Sequence, residues 1–156
     1  MDAFTLIKTL HVIGATVILG TGAGIAFFML MAHRTRDSTA IAHTASVVVV
    51  ADWTFTASAV ALQPVTGYFL ARMDGLPLMH SWLGLSLALY ILAGVCWLPV
   101  VWIQTRMRNL AREAATTGAP LPDAYFRLFR LWFVLGIPAF LAVLAILWLM
   151  VAKPSL

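Results

Sequence analysis

Four long apolar runs, divided by three short polar stretches, set the pattern of this chain. The runs extend from about Phe4 to Met31, Ala45 to Ala71, Trp82 to Ile103 and Ala124 to Val151. A bilayer core about 30 Å thick is crossed by about 20 apolar residues in a helix. Each run is long enough. Hydrocarbon offers no water to backbone amides, so spans of this kind are helices. The pattern predicts an all-α fold, an integral membrane four-helix bundle, in a single transmembrane domain over residues 1–156. A charged helical extension is expected after the third run.

The connections are His33 to Ser38, Arg72 to Pro77, and about Arg106 to Asp123. Gly75 and Pro77 punctuate the second, and Gly118, Pro120 and Pro122 close the third. The first run is expected to be retained. Its apolar stretch, Val12 to Ala32, exceeds the roughly 7–15 residues of a signal h-region and lacks a basic segment before it.

Composition agrees with the pattern and narrows the function classes. The chain is 62% hydrophobic and 10% charged, with a mean hydropathy of +0.95. Soluble domains run about 45–50% apolar and about 25% charged, so a water-facing surface is excluded. The formal charge is +4, but the basic residues flank apolar runs and form no patch interleaved with aromatics. That excludes nucleic acid as a partner and makes the charge a topological signal. Arg34, Arg36, Arg106, Arg108, Arg112, Arg127 and Arg130 gather at the first and third connections, against Lys8, Arg72 and Lys153 at the other end. The positive-inside bias puts the arginine end in the cytoplasm and both termini on the periplasmic side of a bacterial inner membrane. Cys96 is the single cysteine, so no intrachain disulfide forms, and it reads as a small buried side chain.

Polar side chains inside hydrocarbon are costly, so each is either a functional candidate or packing glue. On the first helix, His11, Ala15, Ile18 and Gly22 share one stripe, flanked by Lys8 and Gly14. A histidine above small residues leaves room for a flat ligand such as a porphyrin, and imidazole is a common axial ligand to haem iron. A buried histidine bonded to a neighbouring helix explains the same pattern. Gly20 and Gly24 form a G-x-x-x-G pair on the opposite face, read as close helix packing within the bundle or as a homodimer contact.

On the second helix, Asp52, Thr56, Gln63 and Thr66 fall on one side and must face the bundle interior, and Pro64 should loosen the helix there. Arg106 or Arg130 is the expected partner of Asp52, in a structural ion pair or a cytoplasmic proton entry. On the third helix, Trp82, Ser86, Tyr90, Ala93, Trp97 and Gln104 line up. His80 stands just before them, at a depth close to that of His11. It is the candidate second axial ligand, or a solvated interfacial residue. The fourth helix holds Gly136 and Pro138 and is expected to kink. His33 and His43 read as interfacial histidines among arginines, or as a second haem site.

The whole chain resembles an uncharacterised bacterial family of small integral membrane proteins, a domain of unknown function. The resemblance rests on Leu6 to His11, Ala51-Asp52-Trp53, Gln63 to Gly67 and Cys96 to Trp102. A more distant likeness is to the HemJ-type protoporphyrinogen oxidases, which bind b-type haem. Their Lys-x-x-His opening is matched by Lys8 and His11, and their Trp-Leu pair by Trp82-Leu83. The likeness implies a haem-ligand role for His11. The chain departs from it at Ser86, where that family places an essential lysine, and at Cys96-Trp97, where it places an aromatic-histidine pair. It therefore carries over haem binding and not the oxidase reaction.

The leading expectation is a noncovalent haem b protein acting in electron transfer or oxidoreduction. His11 and His80 would be its metal ligands, Lys8 would pair a propionate, and Trp82 and Tyr90 would pack on the macrocycle edge. A redox protein or a quinone would be its partner within the lipid bilayer. The alternative is a small transporter or accessory subunit without cofactor, with the stripe from Asp52 to Thr66 lining a path.

Overall fold

The computed structural model describes residues 2–79 and 81–154. Five α-helices and one π-helical segment build four membrane-spanning rods: α1 (Ala3–Thr35), α2 (Ser38–Ala51) continuing through the π segment (Asp52–Thr56) into α3 (Ala57–Met73), α4 (Ser81–Thr117) and α5 (Asp123–Ala152). The described residues contain no strand. All four rods are long and apolar enough to cross a membrane.

One boundary differs from the reading of the sequence. The second rod starts at Ser38, because Asp37 caps it by accepting the Thr39 N–H at 2.9 Å. The first connection thus shrinks to Arg36 and Asp37, with Arg36 left-handed at φ 57°. The charged extension expected after the third run is present: α4 continues to Thr117, so most of the third connection is helical. Gly118 then ends it at φ +69°, a conformation that suits a residue without Cβ. At 1.5 Å per residue the 37 residues of α4 span about 55 Å. Its arginine-bearing end therefore projects beyond the apolar layer. At the opposite end Asp2 caps α1 by accepting the Thr5 N–H, and this bonding holds its carboxyl below the usual range.

The interior is uneven along the membrane normal. The tight hydrophobic core sits wholly in the half nearer the arginines. It is built from Ile25 and Met29 of α1, Ile41, Ala45 and Val48 of α2, Ile103, Met107 and Ala111 of α4, and Tyr125, Phe129 and Trp132 of α5. Small residues on facing helices, Ala42 and Ala45 against Ala111 and Ala114, let α2 and α4 run closely together there. Toward the terminal end the rods separate into two pairs, α1 with α3 and α4 with α5.

The glycines that admit close helix contact are Gly14 and Gly67. A Cβ on Gly14 would stand 2.6 Å from Gln63 Nε2, and one on Gly67 would stand 3.3 Å from His11 Cε1. Gly20 and Gly24, expected to pack inside the bundle, do not. A Cβ on Gly20 would meet nothing within 4 Å, and one on Gly24 only Phe28 of the same helix. The α1–α3 seam instead uses the glycines beside polar residues, where a long amide must reach a backbone carbonyl.

Candidate functional site

A cavity of ≈350 Å³ opens where the two helix pairs separate. Ala15, Ile18 and Gly22 of α1 form one wall, with Val60 and Gln63 of α3 beside them. Tyr90, Ala93, Gly94 and Trp97 of α4 and Gly136, Ile137 and Phe140 of α5 form the other. The hollow follows from the residues: Gly22, Gly94 and Gly136 come from three helices, and a Cβ on any of them would meet nothing within 4 Å. Ile137 and Phe140 line the cavity yet remain exposed, so it is a cleft open on the α5 flank.

Its floor, against the tight core, is polar. Asp52 is 3% exposed and opens the π segment. π-Helical turns inside α-helices occur mostly at functional sites, and this one brings Asp52 and Thr56 together on the cavity wall. The carboxylate Oδ1 accepts from Trp97 Nε1 at 3.3 Å. The Gln104 amide satisfies both of its neighbours in one orientation, donating to Asp52 Oδ2 at 3.0 Å and accepting from Trp132 Nε1 at 3.2 Å. The expected partners, Arg106 and Arg130, are not the ones used. Arg106 lies beyond Gln104 on α4 and is exposed, as is Arg130, while Trp97 and Gln104 project from the buried stripe. Thr56 Oγ1 interacts with the carboxylate but makes no hydrogen bond of proper geometry, although it is buried.

Proline shapes the neighbouring wall. Pro64 has no N–H, so the carbonyl of Val60, four residues earlier, loses its helical donor. The Tyr90 hydroxyl takes that place, donating to Val60 O at 2.5 Å. Tyr90 thus ties α4 to α3 across the cavity while its ring lines the wall.

His11 lies outside this cavity, in a clasp between α1 and α3. Its Nδ1 is 2.8 Å from Thr66 Oγ1, and Gln63 Nε2 donates to the His11 carbonyl at 2.8 Å. The Thr66 hydroxyl has one proton, directed at Leu62 O at 2.9 Å and shared with Gln63 O at 3.2 Å. With that proton used within α3, Thr66 would accept from Nδ1–H and the lone pair would lie on Nε2. That nitrogen makes no hydrogen bond among the described residues.

The other foreseen residues lie elsewhere. Lys8 Nζ sits 5.8 Å over the Phe4 ring, and Trp82 sits under Lys153 at 5.7 Å. Ser86 is buried and bonds back to Trp82 O at 2.8 Å. His80 lies outside the described residues. His43 is exposed, but His33 is not a simple surface histidine: it stacks on Phe129 at 3.7 Å and bonds Tyr125 Oη at 3.3 Å. Among the described residues no group of three or more His, Cys, Asp or Glu side chains could hold a metal ion.

Reasoning from the sequence missed Trp132 and the pairing of Asp52 with Trp97 and Gln104. The signal was present in part, since Trp97 and Gln104 are seven residues apart and so share a face of α4. Comparison with known proteins adds one finding. The family described as a predicted integral membrane protein (DUF2269) matches residues 5–154, and the chain belongs to it. No curated protein and no solved structure matches the chain.

Proposed function

We propose that this integral membrane protein binds a largely apolar small molecule, admitted sideways from the bilayer, in the cleft between its helix pairs. The observation that carries the reading is the ≈350 Å³ cleft with apolar walls and a polar floor at Asp52, Thr56 and Gln104. Ligand sites are typically about 300–1,000 Å³, mostly apolar, with a few convergent polar groups. Three inward glycines keep the space clear at the expense of helix propensity. An ionisable residue held within the membrane is a functional candidate by default. The reading belongs with a small carrier or receptor rather than a redox enzyme.

Extraction of the protein purified in nanodiscs, followed by mass spectrometry, tests it. An apolar compound should co-purify with the wild type and be lost from Gly94→Phe, whose ring would occupy the cleft. Equal recovery from both proteins would reject the site. The arginine end is taken as cytoplasmic from the positive-inside bias, which puts the cleft in the outer half of a bacterial inner membrane. A C-terminal reporter should then be active only in the periplasm.

A second reading, noncovalent haem b at His11, is favoured by the Thr66 hydroxyl 2.8 Å from its Nδ1. Metal-bound histidines usually direct the second ring nitrogen to a hydrogen-bond acceptor, and Thr66 supplies one to Nδ1. Nε2 would be one axial ligand, and Lys8, one turn away, would hold a propionate. Haem would supply one-electron chemistry there. An optical spectrum of purified protein, air-oxidised and then dithionite-reduced, checks it. A Soret band that shifts on reduction and disappears in His11→Ala would support this reading. A colourless protein from haem-replete cells would end it.

A further inference from the structure

We infer that the molecule held in the cleft carries an organic cation, an alkyl- or arylammonium head, seated on Asp52 between aromatic rings. The inference rests on the cleft reading and names the class of ligand it left open.

Charge makes the first argument. Asp52 is the one charged residue on the described cleft wall, and no Lys, Arg or His lines it. Its carboxylate receives one neutral donor on each oxygen, from Trp97 and Gln104. A carboxylate has about four lone-pair positions, so acceptor capacity is left over. Two N–H groups aimed at its two oxygens suit the acceptor-only, ionised form. A buried charge without a counter-charge is costly, and no basic side chain among the described residues pairs with this one. A cation supplied by the ligand completes the site, whereas an anion would be repelled.

The second argument is the unsatisfied hydroxyl. Thr56 is buried and lines the cleft, and its Oγ1 lies beside the Asp52 carboxylate without a hydrogen bond of proper geometry. A ligand N–H supplies the missing donor. The third is the character of the walls. Trp97 and Trp132 line the cleft at this floor, with Tyr90 farther along the same wall, and aromatic faces attract ammonium groups, most strongly where water is excluded. Gly22, Gly94 and Gly136 on the same walls leave room for an apolar tail.

The test uses the protein in nanodiscs and two probes: 4-phenylbutylammonium and its neutral isostere, with a methyl group replacing the ammonium. Equilibrium dialysis should show the cation binding at least about ten-fold more tightly. Asp52→Asn should remove that preference and leave the neutral probe unchanged. Trp97→Leu should weaken the cation selectively and serves if Asp52→Asn fails to fold. Equal binding of both probes, insensitive to either substitution but abolished by Gly94→Phe, would overturn the cationic head and leave the cleft reading standing. Full competition by millimolar sodium chloride, with no effect from choline chloride at equal concentration, would also overturn it, in favour of an inorganic cation. Failure of both probes to bind, or binding that survives Gly94→Phe, would reject the cleft and the inference together.

Discussion

At the scale of single residues, the structure is organised by backbone and side-chain groups that lack their ordinary partners. Pro64 removes the donor that Val60 would have used, and Tyr90 replaces it from another helix. Water is scarce at this depth, so the replacement is not optional. Tyr90→Phe keeps the ring and removes only the donor. It should lower stability by about 1–3 kcal/mol, the cost of leaving a buried acceptor unpaired. Denaturant titration in mixed micelles measures this, and an unchanged midpoint would mean that Val60 finds another donor. Asp52 shows the limits of reasoning from sequence at this scale. That it must face inward is legible from the spacing of Asp52, Thr56 and Gln63. Its partners were not, because charge complementarity points to arginine while geometry provides an indole and an amide. Both Trp97 and Trp132 have a polar N–H that hydropathy counting ignores.

At the scale of elements, the four rods were legible because length and apolarity alone define a span. Their ends were less so, since Asp37 caps a helix seven residues ahead of the apolar run, although the charged extension of α4 was legible. The π segment was not legible at all: a shift in hydrogen-bond register leaves no mark in hydropathy. Helix–helix contacts were read from the wrong glycines. A Cβ on Gly20 or Gly24 would meet no other rod within 4 Å despite their G-x-x-x-G spacing, whereas Gly14 and Gly67 have no such spacing and sit in the α1–α3 seam, Gly14 against Gln63 and Gly67 against His11. This contrast is testable. Gly20→Ala should raise stability by about 0.5–1 kcal/mol, the ordinary gain of alanine over glycine within a helix. Gly14→Ala should gain less or lose, since its methyl group displaces the Gln63 amide from the His11 carbonyl. Destabilisation by Gly20→Ala, together with a fall in detergent-resolved mass, would reveal a contact between two copies on that face.

At the scale of the whole molecule, the chain divides across the membrane rather than along its length. The arginine half is filled by interlocked side chains, and the terminal half encloses a cleft. Each of the four rods contributes to both halves, so no single stretch of sequence reveals the division. It follows from the placement of small residues: alanines between α2 and α4, where the chain is closed, and glycines directed into space, where it is open.

This uneven filling has a consequence for local unfolding. Amide hydrogens exchange as fast as the segment that holds them can open, and opening is hardest where apolar contacts are densest. In one and the same helix α4, amides near Met107 and Ala111 should exchange about as slowly as global unfolding allows, while those near Gly94 should exchange sooner. Hydrogen–deuterium exchange on nanodisc-embedded protein should therefore reveal a protection step partway along each rod, near the level of Asp52. Uniform protection from end to end would mean that the two halves open as one cooperative unit.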